Sequence, residues 1–157
     1  MNRALIDTVK LAAGAAGWRL SAQDSDEVVR VDLEDDLHVV FQTPDGVRCV
    51  ASCDLGPAPK ADAADDPEGD EALRSLGTKA AALMPSQASV LSIHEGRLEL
   101  SLVFDMTAES DAQKIALVTA FLNDQARWRE LMGGAPAAQA SPFSFGSFAW
   151  NTLDIRV

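Results

Sequence analysis

Between Ser89 and Phe104 the chain alternates apolar and polar residues on both sides of a Glu95-Gly96 dipeptide. Leu91 and Ile93 precede it, and Leu98, Leu100, Leu102 and Phe104 follow it. A period of two marks a strand with one buried face. A glycine that accepts positive φ marks a tight hairpin turn. Folding about that dipeptide sets Ile93 against Leu98, Leu91 against Leu100 and Ser89 against Leu102. Ser92 against Glu99 and His94 against Arg97 take the opposite face. A slip of one residue would send every apolar side chain to the wrong side, so the register is tightly specified. The apolar face needs a cover, and the long helical pattern directly after the hairpin supplies one.

Three earlier strands follow the same logic. Val29, Val31 and Leu33 alternate with Arg30 and Asp32, and Leu37, Val39 and Phe41 alternate with His38 and Val40. Closing the chain over Glu34-Asp35-Asp36 pairs Leu33 with Leu37, Val31 with Val39 and Val29 with Phe41. Pro44-Asp45-Gly46 is a strong turn signal. It predicts Thr43 against Val47, Phe41 against Cys49, Val39 against Ala51 and Leu37 against Cys53. Two turns that agree on one apolar face support each other. On the other face this register sets Val40 opposite Val50, and Val90 and Val103 share that side of the later hairpin. Scattered valines are ordinary on a surface. Taken together they also make a shallow apolar patch suited to receiving a peptide.

Helical periodicity covers three further stretches. Residues 2–17 place Leu5, Val9, Ala12 and Ala16 on one face with Ile6 and Ala13 beside it, with Asn2 placed to cap and Gly17 to stop. Residues 56–70 read as an acidic linker without periodic apolar residues. A second helix starts after Asp66 and ends before Pro85, with Leu73, Leu76, Ala80 and Leu83 as a narrow stripe. Such a stripe fits a helix-pairing seam or a crossover helix packed on its own subunit. The third helix runs from about Ser110 to Met132, with Ser110 and Gln113 as a capping box. Ile115, Val118, Leu122 and Ala126 form one face of it, and Leu117, Phe121, Trp128 and Leu131 the neighbouring one. Residues 1–132 thus form one α+β domain, a twisted antiparallel sheet flanked by helices in the order α-β-β-β-α-β-β-α. Residues 133–157 form an aromatic tail carrying Phe143, Phe145, Phe148 and Trp150, with no charged residue before Asp154. Aromatics in series tend to find a surface, on their own domain, on a neighbour, or at a sheet edge.

The chemistry is sparse. A net charge of −11 argues against nucleic acid and against an anionic membrane as partner. No segment approaches the roughly 18 apolar residues of a membrane span, and Asp7 and Lys10 interrupt the first apolar run, so no signal peptide is read there. Cys49 and Cys53, four apart on one strand, stand about 13 Å apart, beyond the roughly 7 Å limit for a disulfide. They read as reduced thiols of a cytosolic protein. His38 falls opposite Asp32, and His94 flanks a turn. There is no HExxH, CxxC, nucleophile elbow or phosphate loop, so no catalytic, cofactor or metal residue is expected.

The segments AAGAAGWRL, EVVRVDLEDDLHVVFQTPDG, VRCVASCDLG, SVLSIHEGRLELSLVF and KIALVTAFLNDQARWRELM, in this order, resemble the effector-specific type III secretion chaperones of Gram-negative bacteria. The resemblance spans about residues 2–132 and rests on apolar position and length, and the aromatic tail departs from it. It implies a cytoplasmic homodimer without catalytic activity, joined through Leu73, Leu76, Ala80, Leu83 and the strand at Val90. It implies a partner, the N-terminal segment of an effector, held non-globular for delivery to the export machinery. Leu5, Ile6 and Val9 with Val40 and Val50 are then expected to line the receiving groove, and the tail aromatics to compete for it. A regulatory or stress-associated protein of the same fold, and a small enzyme, are the alternatives.

Overall fold

Each predicted strand finds a partner in the computed structural model, which describes residues 3–18, 27–33, 37–60 and 67–133. The elements are α1 (Arg3–Ala16), β1 (Val28–Asp32), β2 (His38–Gln42), β3 (Arg48–Pro57), α2 (Pro67–Leu83), β4 (Val90–His94), β5 (Arg97–Asp105) and α3 (Asp111–Leu131). A single 3-10 turn, Met84–Ser86, follows α2. The strands form an antiparallel five-stranded sheet in the order β1-β2-β3-β5-β4. The fold is α+β, with helices against one face of the sheet. The expected caps Asn2 and Asp66, the loop 34–36 and the tail residues Phe143, Phe145, Phe148 and Trp150 lie outside the described residues.

The β4–β5 hairpin has the expected register, with Ile93 opposite Leu98, Leu91 opposite Leu100 and His94 opposite Arg97. Its turn holds both central residues at positive φ, Glu95 at 49° and Gly96 at 74°. That is the conformation matching the right-handed twist of paired strands. The β1–β2 pairing is also as expected, Val31 against Val39 and Val29 against Phe41, and the Leu33 N–H donates to the Leu37 carbonyl at 2.6 Å.

The β2–β3 register differs from the sequence expectation by two residues. Phe41 stands opposite Ala51 rather than Cys49, and Val40 opposite Ser52 rather than Val50. Outside partners take both ends of the loop. The Thr43 N–H donates to Glu27 of the β1 side at 3.1 Å, and the Val47 carbonyl accepts from Met106 beyond β5 at 2.9 Å. Within the loop, Asp45 Oδ1 accepts from the Val47 and Arg48 N–H groups, and Thr43 Oγ1 accepts from Gly46. Thr43 and Val47 therefore do not close on each other. An even slip leaves each side chain on its own face, and Val39, Phe41, Cys49, Ala51 and Cys53 all remain buried.

The expected linker is shorter than predicted. β3 continues to Pro57 through a bulge between Asp54 and Gly56, with Gly56 at φ 114°, a region that favours glycine. Ala58 still donates to the Gly96 carbonyl at 2.9 Å, and α2 begins at Pro67.

The core lies between the inner face of the sheet and the helices. Leu5, Val9 and Ala12 of α1 and Val118, Phe121 and Trp128 of α3 pack there with Val31, Val39, Phe41, Leu100 and Leu102. Each such large side chain removed from water contributes roughly 1.5–3 kcal/mol. Gly17, at φ 72°, ends α1, and the Trp18 N–H returns to the Ala13 carbonyl at 3.0 Å. At the start of α3 the Ser110–Gln113 capping box forms as expected.

Candidate functional site

Strand alternation decides what the outer face of the sheet offers. Val50 stands opposite Val103, while Ser52 and Ser101 separate Val40 from Val90 in the next row. Val40–Val50 and Val103–Val90 are diagonal neighbours, about 7–8 Å apart. The four valines form a zigzag strip across β2, β3, β5 and β4. Val40 and Val50 are half-buried, whereas Val90 is 64% and Val103 55% exposed. Charge borders the strip. Arg97 Nε donates to Asp54 Oδ2 at 2.6 Å, and Arg48 Nε to Asp45 Oδ2 at 2.6 Å. Burial works against ionisation of Asp54, but the hydrogen bonds from Arg97 and Gly56 and the guanidinium charge outweigh it and hold the carboxyl below its ordinary value.

The single groove expected from α1 and the valines does not form. Leu5 and Val9 are fully buried on the inner side of the sheet, with Ile6 half-buried. Val40 and Val50 lie on the outer side. Helical periodicity identifies the apolar face of α1, but that face is consumed by the core.

At the other edge, β4 is paired on one side, with β5. Its inner-face Ile93 is 54% exposed. Leu76, Ala80 and Leu83 of α2 pack against the core of their own chain and remain half-buried, as is Leu73. The stripe thus serves the monomer core and retains surface. Two side chains of α3 hold the entry to β4. Asp124 Oδ2 accepts from the Ser89 hydroxyl at 2.6 Å and from its N–H at 3.2 Å, and Trp128 Nε1 donates to Gln87 Oε1 at 3.1 Å. Periodicity alone does not reveal this clamp. The available signal is an acid three residues after Phe121 and four before Trp128, on the buried stripe.

A third surface lies between α1 and α3. Ala12, Ala15, Ala16 and Trp18 face Ile115, Val118, Thr119 and Leu122 across a shallow groove. The Thr119 hydroxyl donates to the Ile115 carbonyl at 2.8 Å. The buried indole N–H of Trp18 has no hydrogen-bond partner among the described residues.

The two thiols lie in the core and not on these surfaces. Burial pushes both Cys49 and Cys53 up to about 12, so neither supplies thiolate near neutrality. Among the described residues no group of three or more His, Cys, Asp or Glu side chains converges on a metal position, and no helix is long and apolar enough to cross a membrane.

Sequence comparison finds no matching protein-family model and no matching curated protein. Structure comparison does find likenesses. A chain of the HopA1–SchA chaperone–effector complex superposes with a TM-score of 0.58 at 13% identity, covering 82% of this chain and 95% of that one. A chain of the ExsC–ExsE complex gives 0.55 at 14% identity, covering 83% and 91%. A chain of the heterodimeric ExoU–SpcU complex from the type III secretion system of Pseudomonas aeruginosa gives 0.50 at 19% identity, covering 78% and 94%. TM-scores of 0.50 to 0.58 with 91–95% of those chains covered show that this chain shares their α+β fold, at low sequence identity.

Proposed function

We propose that this chain is a cytoplasmic, non-catalytic chaperone of a type III secretion system. It binds the N-terminal segment of an effector, keeps that segment non-globular and delivers it to the export machinery. The observation that carries the proposal is the run Val40–Val50–Val103 on the outer face of the sheet of a strongly acidic chain, with Val90 at the dimer end of that run. A holding protein needs apolar surface for an unfolded partner and like charge between its own copies to remain soluble. The HopA1–SchA likeness is to a chaperone–effector complex, which agrees with this use of the fold. The working form is a homodimer joined through α2 and β4, by Leu73, Leu76, Ala80, Leu83 and Val90, whose half-buried and exposed surfaces suit an interface.

The test is co-purification of the chain with the N-terminal segments of candidate effectors encoded beside it, followed by limited proteolysis. The effector segment becomes protected only in the complex. Val40→Asp with Val50→Asp abolishes capture while the mass in solution stays that of a dimer. Undiminished capture by that variant removes the valine strip from the binding surface. A monomeric mass for the unmodified chain removes the dimer.

A further inference from the structure

We infer that the α1–α3 groove is a docking site for the chain's own aromatic tail, with Phe143 and Phe145 as the inserted side chains. The inference concerns a different surface from the valine strip and stands independently of the effector reading.

Two features of the groove point to an occupant. The groove is apolar: alanines on the α1 side, Ile115, Val118 and Leu122 on the α3 side, and its one hydroxyl, Thr119, already donates to a backbone carbonyl. The groove also contains the buried Trp18 indole N–H, which has no acceptor among the described residues. Leaving such a donor without an acceptor costs about 1–3 kcal/mol, and a peptide laid in the groove brings backbone carbonyls that can accept from it.

Reach and composition select the occupant. The chain leaves α3 at Gly133, whose φ of 76° turns it out of the helix. From Met132 back to Leu122 is ten residues, about 15 Å along the helix axis. Residues 134–142, nine in extended form, reach about 30 Å. The segment can therefore run back along α3 and bring Phe143 and Phe145 to the groove without strain. Residues 134–153 carry no charge, so entering an apolar groove requires no ion to be desolvated. The two phenylalanines are spaced to fall on one side of an extended segment.

The test uses the full chain and the indole N–H signals of Trp18, Trp128 and Trp150 in a nitrogen-15 correlation spectrum. Phe143→Ser with Phe145→Ser shifts the Trp18 signal, leaves Trp128 in place, and a synthetic peptide of residues 139–151 added in trans restores it. Ala15→Glu, at an exposed position lining the groove, moves the backbone amides of residues 141–146 to their free-peptide positions. If docked and open forms stand at roughly ten to one, the serine variant binds the peptide about tenfold more tightly than the full chain does. An unmoved Trp18 signal overturns the inference, as it would if the tail covered Leu131 and Met132 at the end of α3 instead. A Trp18 shift that grows with protein concentration overturns the intramolecular form, because the tail would then come from a second copy.

Discussion

Asp124→Ala tests whether the entry to β4 is held by a buried polar clamp. Asp124 is 7% and Ser89 4% exposed, and one carboxyl oxygen receives both Ser89 donors, at 2.6 and 3.2 Å. Truncation strands two buried donors, each costing about 1–3 kcal/mol when left without a partner. The hydroxyl can rotate to another acceptor and the backbone N–H cannot, so the larger share falls on the N–H. Relief from burying a carboxyl group offsets part of the loss. A net destabilisation of about 3 kcal/mol results, equivalent to a fall in Tm of about 10 °C for a domain of this size. Urea titration followed by circular dichroism measures it as a lower midpoint at unchanged slope. Asp124→Asn, which keeps an acceptor, loses about 1 kcal/mol. Ser89→Ala combined with Asp124→Ala gives a coupling of at least about 1 kcal/mol. A loss below about 1 kcal/mol for Asp124→Ala, or strict additivity with Ser89→Ala, would refute the clamp.

Two further predictions follow from ionisable groups. Cys49 and Cys53 are buried and held near 12. A thiol reagent at pH 8 therefore leaves the native protein unlabelled, and labels both on addition of urea; fast labelling of the folded form would contradict their burial. Asp45, lowered to about 2 by hydrogen bonds from the backbone and side chain of Arg48 and the backbone of Val47, has a folded pKa below its unfolded one. It contributes stability that is full above the ordinary carboxylate range and is lost as pH falls from about 4 towards 2. Asp45→Asn accordingly has a shallower loss of stability across that window in acid titrations of thermal unfolding, and an identical slope would remove Asp45 as a source.

Much of the fold is legible locally. The β4–β5 and β1–β2 registers follow from apolar alternation and a short turn, because the residues that decide them are neighbours in sequence. The same holds for the helix ends at Gly17 and Ser110. The candidate surfaces were less legible. Periodicity placed Leu5 and Val9 on an apolar face correctly, but an apolar face reads the same whether it meets a core or a ligand. Leu76, Ala80 and Leu83 pose the same ambiguity, and in the structure they already pack on their own core.

The order of apolar and polar residues by itself determined which side of each strand is buried, since a period of two leaves no freedom once a turn is set. Only the tertiary structure decided the β2–β3 register, because Glu27 and Met106, distant in sequence, take the backbone groups that would otherwise close the loop. It alone placed β5 between β3 and β4, separated α1 from the valine strip by the thickness of the sheet, and carried Asp124 to Ser89 across 35 residues of chain. In each case the deciding partner is remote in the chain, and a pattern confined to neighbours contains no record of it.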